Sequence, residues 1–427
     1  MKTPHIVFLG AGYATLSCIA NLPKSIYSTA RWTLITKDSI HYESILLHEV
    51  ASGYKDKEIL HKLEDILPKD IEIVQDCVRT INASSKQIVC ERATYSYDIL
   101  ILGLGFASDS FGISGVSAYA LPLTNYHQAK AIRAKIEANL QAYKHTNDER
   151  YLRFVVCGGG FSGCELVATL AQEIPKQAKK LGIQEAVECV CIEALDNVLP
   201  MFSPNLAQKG RAYLEKLGVR VLSASKILSV LENGVQIACG NEQGQNGPQT
   251  TLIESFCTIW TAGVQGNLVI ANSFGTPKSK LITTPYLHPK PLESNDSNAT
   301  KAKDSSTDID VDSIFVLGDC GALLDEKTQR FYPPTAQLAQ QQGIYLARIL
   351  PSYIQQVKTT STLESTTPLD SSAPIPPFSY KPQGTICSLG YCYGIGEVAG
   401  REVSGLIAIA IKRAIEWRWR RSIKVNK

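Results

Sequence analysis

Residues 153–165 read Arg-Phe-Val-Val-Cys157-Gly158-Gly-Gly160-Phe-Ser-Gly163-Cys-Glu165, an apolar run that breaks into glycines and resumes as helix-forming sequence. A buried strand that ends in G-x-G-x-x-G and opens a helix gathers free backbone N–H groups and the positive end of a helix dipole around a pyrophosphate. Gly158 permits the tight turn, Gly160 lets a phosphate approach the backbone, and Gly163 lets the helix lie close on the strand. The pattern predicts a parallel α/β sheet with a nucleotide at its edge.

Outward from that stretch, a helix is predicted over 164–178 and a second strand over 186–193, ending in Glu193. A carboxylate there meets the ribose hydroxyls and repels a 2′-phosphate, so NADH is expected over NADPH. The same order occurs earlier: a strand at 5–9, the loop Gly10-Ala-Gly12-Tyr-Ala-Thr15, a helix to residue 22 and a strand at 32–36. Thr15 stands at the third glycine position, which is expected to loosen helix-to-strand packing slightly. Two such units imply two dinucleotide sites in one polypeptide, and so an electron relay. In two-dinucleotide flavoproteins a carboxylate at a strand end commonly contacts the flavin's ribityl chain; by that likeness Phe315-Val-Leu-Gly318-Asp319 and Tyr97-Asp-Ile-Leu-Ile-Leu-Gly-Leu-Gly105 are expected to join the first loop and close an FAD site from three separated segments.

At 427 residues the chain is long enough for two or three domains, and 44% hydrophobic with 19% charged residues is a globular balance. A net charge of +3 gives no reason to expect nucleic acid. The twelve cysteines form no CxxC pair, zinc spacing or disulfide ladder, which fits a reducing compartment. Cys189 and Cys191 are expected on one buried strand face, and Cys157 and Cys164 as structural thiols. Met1-Lys2 and the apolar run after it imitate a secretory signal, but the run carries the glycine loop. No apolar run is long enough to span a bilayer, so membrane contact is expected to be peripheral. Residues 292–312 and 358–377 are polar, or rich in Ser, Thr and Pro, and read as exposed loops or linkers. Residues 401–427 carry eight Lys or Arg against two Glu, a local +6 that leaves the remainder at −3. With Leu406, Ile407, Ile409, Ile411, Ile415, Trp417 and Trp419 they predict an interfacial helix on an anionic bilayer, the alternative being a helix docked on protein.

These blocks resemble the type II NADH dehydrogenases, single-chain NADH:quinone oxidoreductases of the two-dinucleotide, pyridine nucleotide-disulfide oxidoreductase-like flavoproteins. The likeness covers nearly the whole chain. It also includes Phe111-Gly-Ile-Ser-Gly-Val-Ser-Ala-Tyr-Ala-Leu-Pro-Leu123, Val198-Leu-Pro-Met-Phe202, Trp260-Thr-Ala-Gly-Val264 and Pro334-Thr-Ala-Gln-Leu-Ala-Gln-Gln-Gln-Gly343, the last similar to the family's AQxAxQQG signature. The resemblance implies an α/β fold of two Rossmann-like dinucleotide-binding domains, the FAD domain split by an inserted NAD domain, plus a C-terminal membrane-associating module. The expected boundaries are 1–122 and 265–357 for FAD, 123–264 for NADH, 358–377 as linker and 378–427 for the module.

On the same footing, FAD falls to Gly10, Gly12, Ala14, Asp38, Val78, Gly105, Gly318, Asp319 and Ala336, and NADH to Gly158, Gly160, Gly163, Glu193, Ala262 and Gly263. Ala336 and Gln337 would approach the flavin ring, Gln337 and Gln341 would line the quinone entrance, and Glu165 would sit near the nicotinamide and flavin N5. A plainer alternative makes Glu165 a first-turn carboxylate favoured by the helix dipole. Three departures stand out: Thr36 where the family has an acid, with Asp38 as its substitute; Ile45 for a usual proline; and the polar segment 292–312 as an extra insertion. The implied partners are NADH, a membrane quinone and an anionic lipid surface, at the cytoplasmic face of the inner (cell) membrane, with a homodimer left open. Two rivals compete: a sulfide:quinone oxidoreductase, for which Cys157 and Cys387 are the available cysteines, and a flavin-binding redox-sensing or assembly protein with little turnover.

Overall fold

The computed structural model describes residues 3–239, 249–276, 279–290, 310–360 and 375–424. Near-continuous apolar runs build two five-stranded parallel sheets. In the first, the spatial order is Ile314–Val316, Ile99–Leu102, His5–Leu9, Arg31–Thr36 and Ile71–Gln75. In the second it is Ala120–Pro122, Cys257–Trp260, Arg153–Cys157, Glu188–Ile192 and Val219–Leu222. Each glycine-loop strand is therefore central, with strand order reversing beside it, the place where open α/β sheets bind ligands.

Both sheets are buried on two faces, so successive side chains of each strand enter opposite apolar layers. Ile6, Phe8, Trp32 and Leu34 enter one apolar layer of the first sheet, and Val7, Leu9 and Ile35 the opposite one. In the second sheet Val156, Cys189, Cys191 and Ile259 share a layer, opposed by Val155, Cys157, Val190 and Ile192. The two strand cysteines thus face the same way, as expected.

The last strand of the first sheet comes from residues beyond the whole second sheet, so the first unit is split by an insertion. The chain crosses between units at Phe106–Ser108 and returns at Val264–Gly266, the two strands pairing antiparallel. The expected boundary after residue 122 falls too late: Ala120–Pro122 is hydrogen-bonded to Cys257–Trp260, so this edge strand belongs to the second unit. The glutamine-rich helix runs Ala336–Thr360, past the point at 358 where a linker was expected, because Gln, Val and Lys carry helical sequence on from Tyr353. Residues 361–374 of that linker, and 291–309, which include most of the polar insertion, lie outside the described residues. A three-stranded antiparallel sheet, Thr385–Ser388, Gly394–Val398 and Arg401–Gly405, leads into the C-terminal helix Leu406–Ser422. Among the described residues no helix is long and apolar enough to cross a membrane.

Candidate active site between the two nucleotide units

Each glycine loop turns at a residue with positive φ, Gly10 at +88° and Gly158 at +113°. A Cβ at Gly10 would lie 2.5 Å from the Gly103 carbonyl oxygen, and one at Gly158 would lie 2.7 Å from Ala262 Cα, so neither turn admits another residue without movement. The helices that follow, Tyr13–Asn21 and Phe161–Lys180, are capped by Gly12 and Gly160, and no side chain satisfies their first N–H groups. Three other helices are closed by Asn125, Ser203 and Asn267, whereas the C-terminal helix after Gly405 and the short helices after Leu46, Lys62 and Gly115 share the uncapped start but follow no glycine loop of this pattern. A Cβ on Gly160 would meet nothing within 4 Å, and one on Gly12 only Gly103 O at 3.9 Å. Unfilled donors facing open space are what a pyrophosphate requires, and both loops fit a dinucleotide.

The residues expected around FAD converge. Gly318, at φ +63°, opens toward the side chains of Ala14 and Ala339, and Cys320 Sγ donates to the Gly105 carbonyl at 3.4 Å. Val78 lies in the same apolar layer as Leu9, Leu102 and Cys320. Burial raises the Asp319 carboxyl above its ordinary value. Gln342, which the sequence reading passed over, is buried and its Oε1 accepts from Gly318 N at 2.7 Å. The helical spacing of buried Leu338, Gln342 and Leu346 would have pointed it inward. A Cβ at Gly343 would fall 2.1 Å from Ala14 O, so this glycine brings the glutamine-rich helix onto the first-loop helix. Gln337 accepts from Tyr380 Oη at 2.7 Å and Gln383 N at 3.0 Å, and Gln341 bonds both ways with the Lys381 backbone. These two glutamines seat the C-terminal module beside Ala336. Asp38 lies past the end of its strand, with Oδ1 3.2 Å from His127 Nε2 on the helix Tyr126–Thr146 of the second unit.

On the other side, Glu193 is braced against the second loop: Oε2 accepts from Gly159 N at 2.7 Å and Oε1 from Leu195 N at 2.9 Å. Ala262 touches Gly158, and Gly263 packs under the Phe111 ring. The Glu165 carboxylate turns into a buried cluster. Its Oε1 accepts from Ser388 N and Ser388 Oγ, each at 2.9 Å, and from Lys412 Nζ, while Oε2 lies 3.7 Å from His48 Nδ1. Burial alone would raise this carboxyl, but Lys412 and the Ser388 bonds outweigh it and hold it below the ordinary range. Burial would likewise lower Lys412, and Glu165 holds it up. Burial lowers His48, which stays neutral. Lys412 and Ser388 were not anticipated; a lone lysine after Leu-Ile-Ala-Ile-Ala-Ile was the available signal.

The C-terminal helix departs from the expected assignment of faces. Ile409, Glu416 and Trp419 are buried, and Trp419 rests on Tyr13 and His41 with ring centroids 4.6 and 5.6 Å apart. Arg420 Nε donates to Glu43 Oε1 at 2.6 Å, an oxygen 3.0 Å from His61 Nε2 as well. Trp419, Ile409, Lys412 and Arg420 therefore serve the protein's own interior, while Leu406, Ile407, Ile415 and Trp417 remain exposed.

A pyridine nucleotide-disulphide oxidoreductase family profile matches residues 4–343. A type II NADH:quinone oxidoreductase of Staphylococcus saprophyticus is 32% identical over 422 residues, covering 97% of this chain and 94% of that protein. The chain belongs to the type II NADH:quinone oxidoreductase family. The solved structure of NDH2 from Plasmodium falciparum in complex with NADH superimposes with a TM-score of 0.81 over 99% of this chain and 97% of that one, at 18% identity. The sulfide:quinone oxidoreductase of Aquifex aeolicus shares the fold, with a TM-score of 0.70 at 17% identity, over 98% and 92% of the two chains. The two cysteines available to the sulfide rival form no pair here: Cys157 and Cys387 lie in different apolar layers, both fully buried, with burial pushing both thiols up. Family membership and site geometry thus agree on the nicotinamide branch of this fold.

Proposed function

We propose that this chain oxidises NADH, carries the electrons through FAD and delivers them to a membrane quinone without pumping protons. The observation that carries the reading is the pair of glycine-loop helices without side-chain caps at the reversal points of two parallel sheets, with the glutamine-rich helix packed on the first of them and bonded to Gly318. Bound FAD supplies a ring that accepts a hydride from NADH and releases two electrons. The protein's part is to hold the two rings at near-attack distance and keep water out.

Gly10, Gly12 and Ala14 would cradle the FAD pyrophosphate, Gly105, Gly318, Asp319 and Ala336 its ribityl and ring end, Val78 its apolar floor, and Asp38 its adenosine ribose. Gly158, Gly160 and Gly163 would take the NADH pyrophosphate, Glu193 the ribose, and Ala262 and Gly263 the turn beside the nicotinamide. Gln337 and Gln341 would shape the quinone entrance through the segment they hold. Glu165 is ionised at neutral pH, so the cation Lys412 is the member of that pair that holds a proton near the site. The outward face of the C-terminal helix, with Leu406, Ile407, Ile415 and Trp417 among Arg413, Arg418 and Arg421, suits an anionic lipid surface at the cytoplasmic face of the cell membrane. A homodimer is compatible with this arrangement.

The test is anaerobic mixing of the yellow, FAD-loaded protein with NADH. Rapid bleaching followed by reoxidation with a soluble quinone supports the reading; bleaching by sulfide but not by NADH overturns it.

A further inference from the structure

One helix touches the entrance of both nucleotide units. From its buried side Lys412 reaches Glu165, two residues past Gly163 in the second loop, and Trp419 covers Tyr13, the residue after Gly12 in the first. Arg420 adds a bond to Glu43, whose side chain is fully buried in the first unit. Eight helical steps lead from Lys412 to Arg420, a rigid spacer of about 12 Å. Burial would raise the Glu43 carboxyl, but the hydrogen bonds from His61 and Arg420 outweigh it, so the pair is charged at neutral pH. Two charge-assisted contacts from one rigid element to two bodies fix the distance and angle between those bodies.

We propose that Arg420, with Trp419 beside it, is a positioning residue for hydride transfer. Its grip on the first unit, with that of Lys412 on the second, sets the stacking of nicotinamide on flavin. The C-terminal helix is then part of the NADH half-reaction, besides any contact it makes with lipid. The inference rests on the NADH-to-flavin reading above. A displacement of about 1 Å between reacting rings can cost up to about a hundredfold in rate, so a loosened strap is visible kinetically before it unfolds the protein.

The experiment is stopped-flow bleaching of the FAD-loaded protein in detergent, without lipid or quinone. Arg420→Met is expected to slow bleaching at saturating NADH about tenfold, with the half-saturating NADH concentration within about twofold of wild type and flavin content unchanged. Arg420→Lys restores part of the rate. Arg420→Met leaves the buried Glu43 carboxylate without its permanent cation, with His61 alone beside it, and lowers thermal stability. Glu43→Gln combined with Arg420→Met removes that orphan charge, so its thermal midpoint recovers while bleaching stays slow. Wild-type speed in Arg420→Met, or a rate that recovers together with the midpoint in the double variant, overturns the inference and leaves the activity standing. Wild-type protein that stays yellow under NADH overturns the activity and the inference together.

Discussion

The two glycine loops solve the same steric problem with the missing side chain on opposite partners. In the second loop the helix gives way: a Cβ on Gly163 would lie 1.8 Å from the Gly158 carbonyl oxygen. In the first loop the helix keeps a side chain, the fully buried Thr15, and the neighbouring strand end gives way instead, since a Cβ on Gly103 would fall 2.4 Å from Thr15 Oγ1. Gly103 makes the room that Thr15 occupies. What a dinucleotide fold demands at this crossing is one side chain fewer, and either partner can supply the vacancy. The loops differ as well in the acid proposed for each ribose: Glu193 is braced by two backbone N–H groups, whereas Asp38 stands beyond its strand and meets His127.

The sharpest way to break this comparison is to fill the second crossing. Gly163→Ala puts a methyl group onto backbone and is expected to abolish NADH-driven bleaching, about a hundredfold or more, while flavin stays bound; an unchanged bleaching rate would show that the second loop has slack. Lys412→Met leaves Glu165 buried and unpaired and should cost about 3–5 kcal/mol in denaturant unfolding, most of it regained with Glu165→Gln; equal stability of the two variants would contradict a buried ion pair. Glu193→Ala should raise the KM for NADH about tenfold and narrow the preference over NADPH, while Asp38→Ala changes flavin content less, which steady-state kinetics and flavin absorbance would measure. The smallest effect is with pH. Burial lowers His41, against the first loop, to about 4, and lowers His48, beside Glu165, so both are neutral when folded but take up protons near pH 6.5 when unfolded. The unfolded state then binds more protons as pH falls, and stability declines from pH 7 to 5. Glu165 and Glu43, held low when folded, lose their contribution only below the ordinary carboxylate range. A thermal midpoint flat between pH 7 and 5 would contradict the buried, neutral assignment of both histidines.

Much of this architecture was legible in the residues, because strands buried on two faces and glycine turns leave local patterns. His5–Leu9, Arg153–Cys157 and both loops fell where the pattern put them. The three-residue strand Ala120–Pro122 was not legible, since a sequence that short gains its place only by pairing with a distant partner. The C-terminal helix misled for a different reason. Its basic residues read as a single lipid-facing population, yet Lys412, Glu416 and Arg420, each four apart, form a charged stripe turned inward, and Leu406, Ile407 and Trp417 turn outward. Helical spacing alone contains that stripe; only the carboxylates of Glu165 and Glu43, far away in sequence, decide that it is the buried one.

The strand Ile314–Val316 also sets an order of events on the ribosome. The second sheet is contiguous and can close as soon as residue 260 has emerged, whereas the first sheet, although it starts with the N-terminus, must wait for a strand made more than fifty residues later. With domains folding as units during synthesis, the nicotinamide-type half assembles first, and the N-terminal half remains a receptive, incomplete platform until late translation.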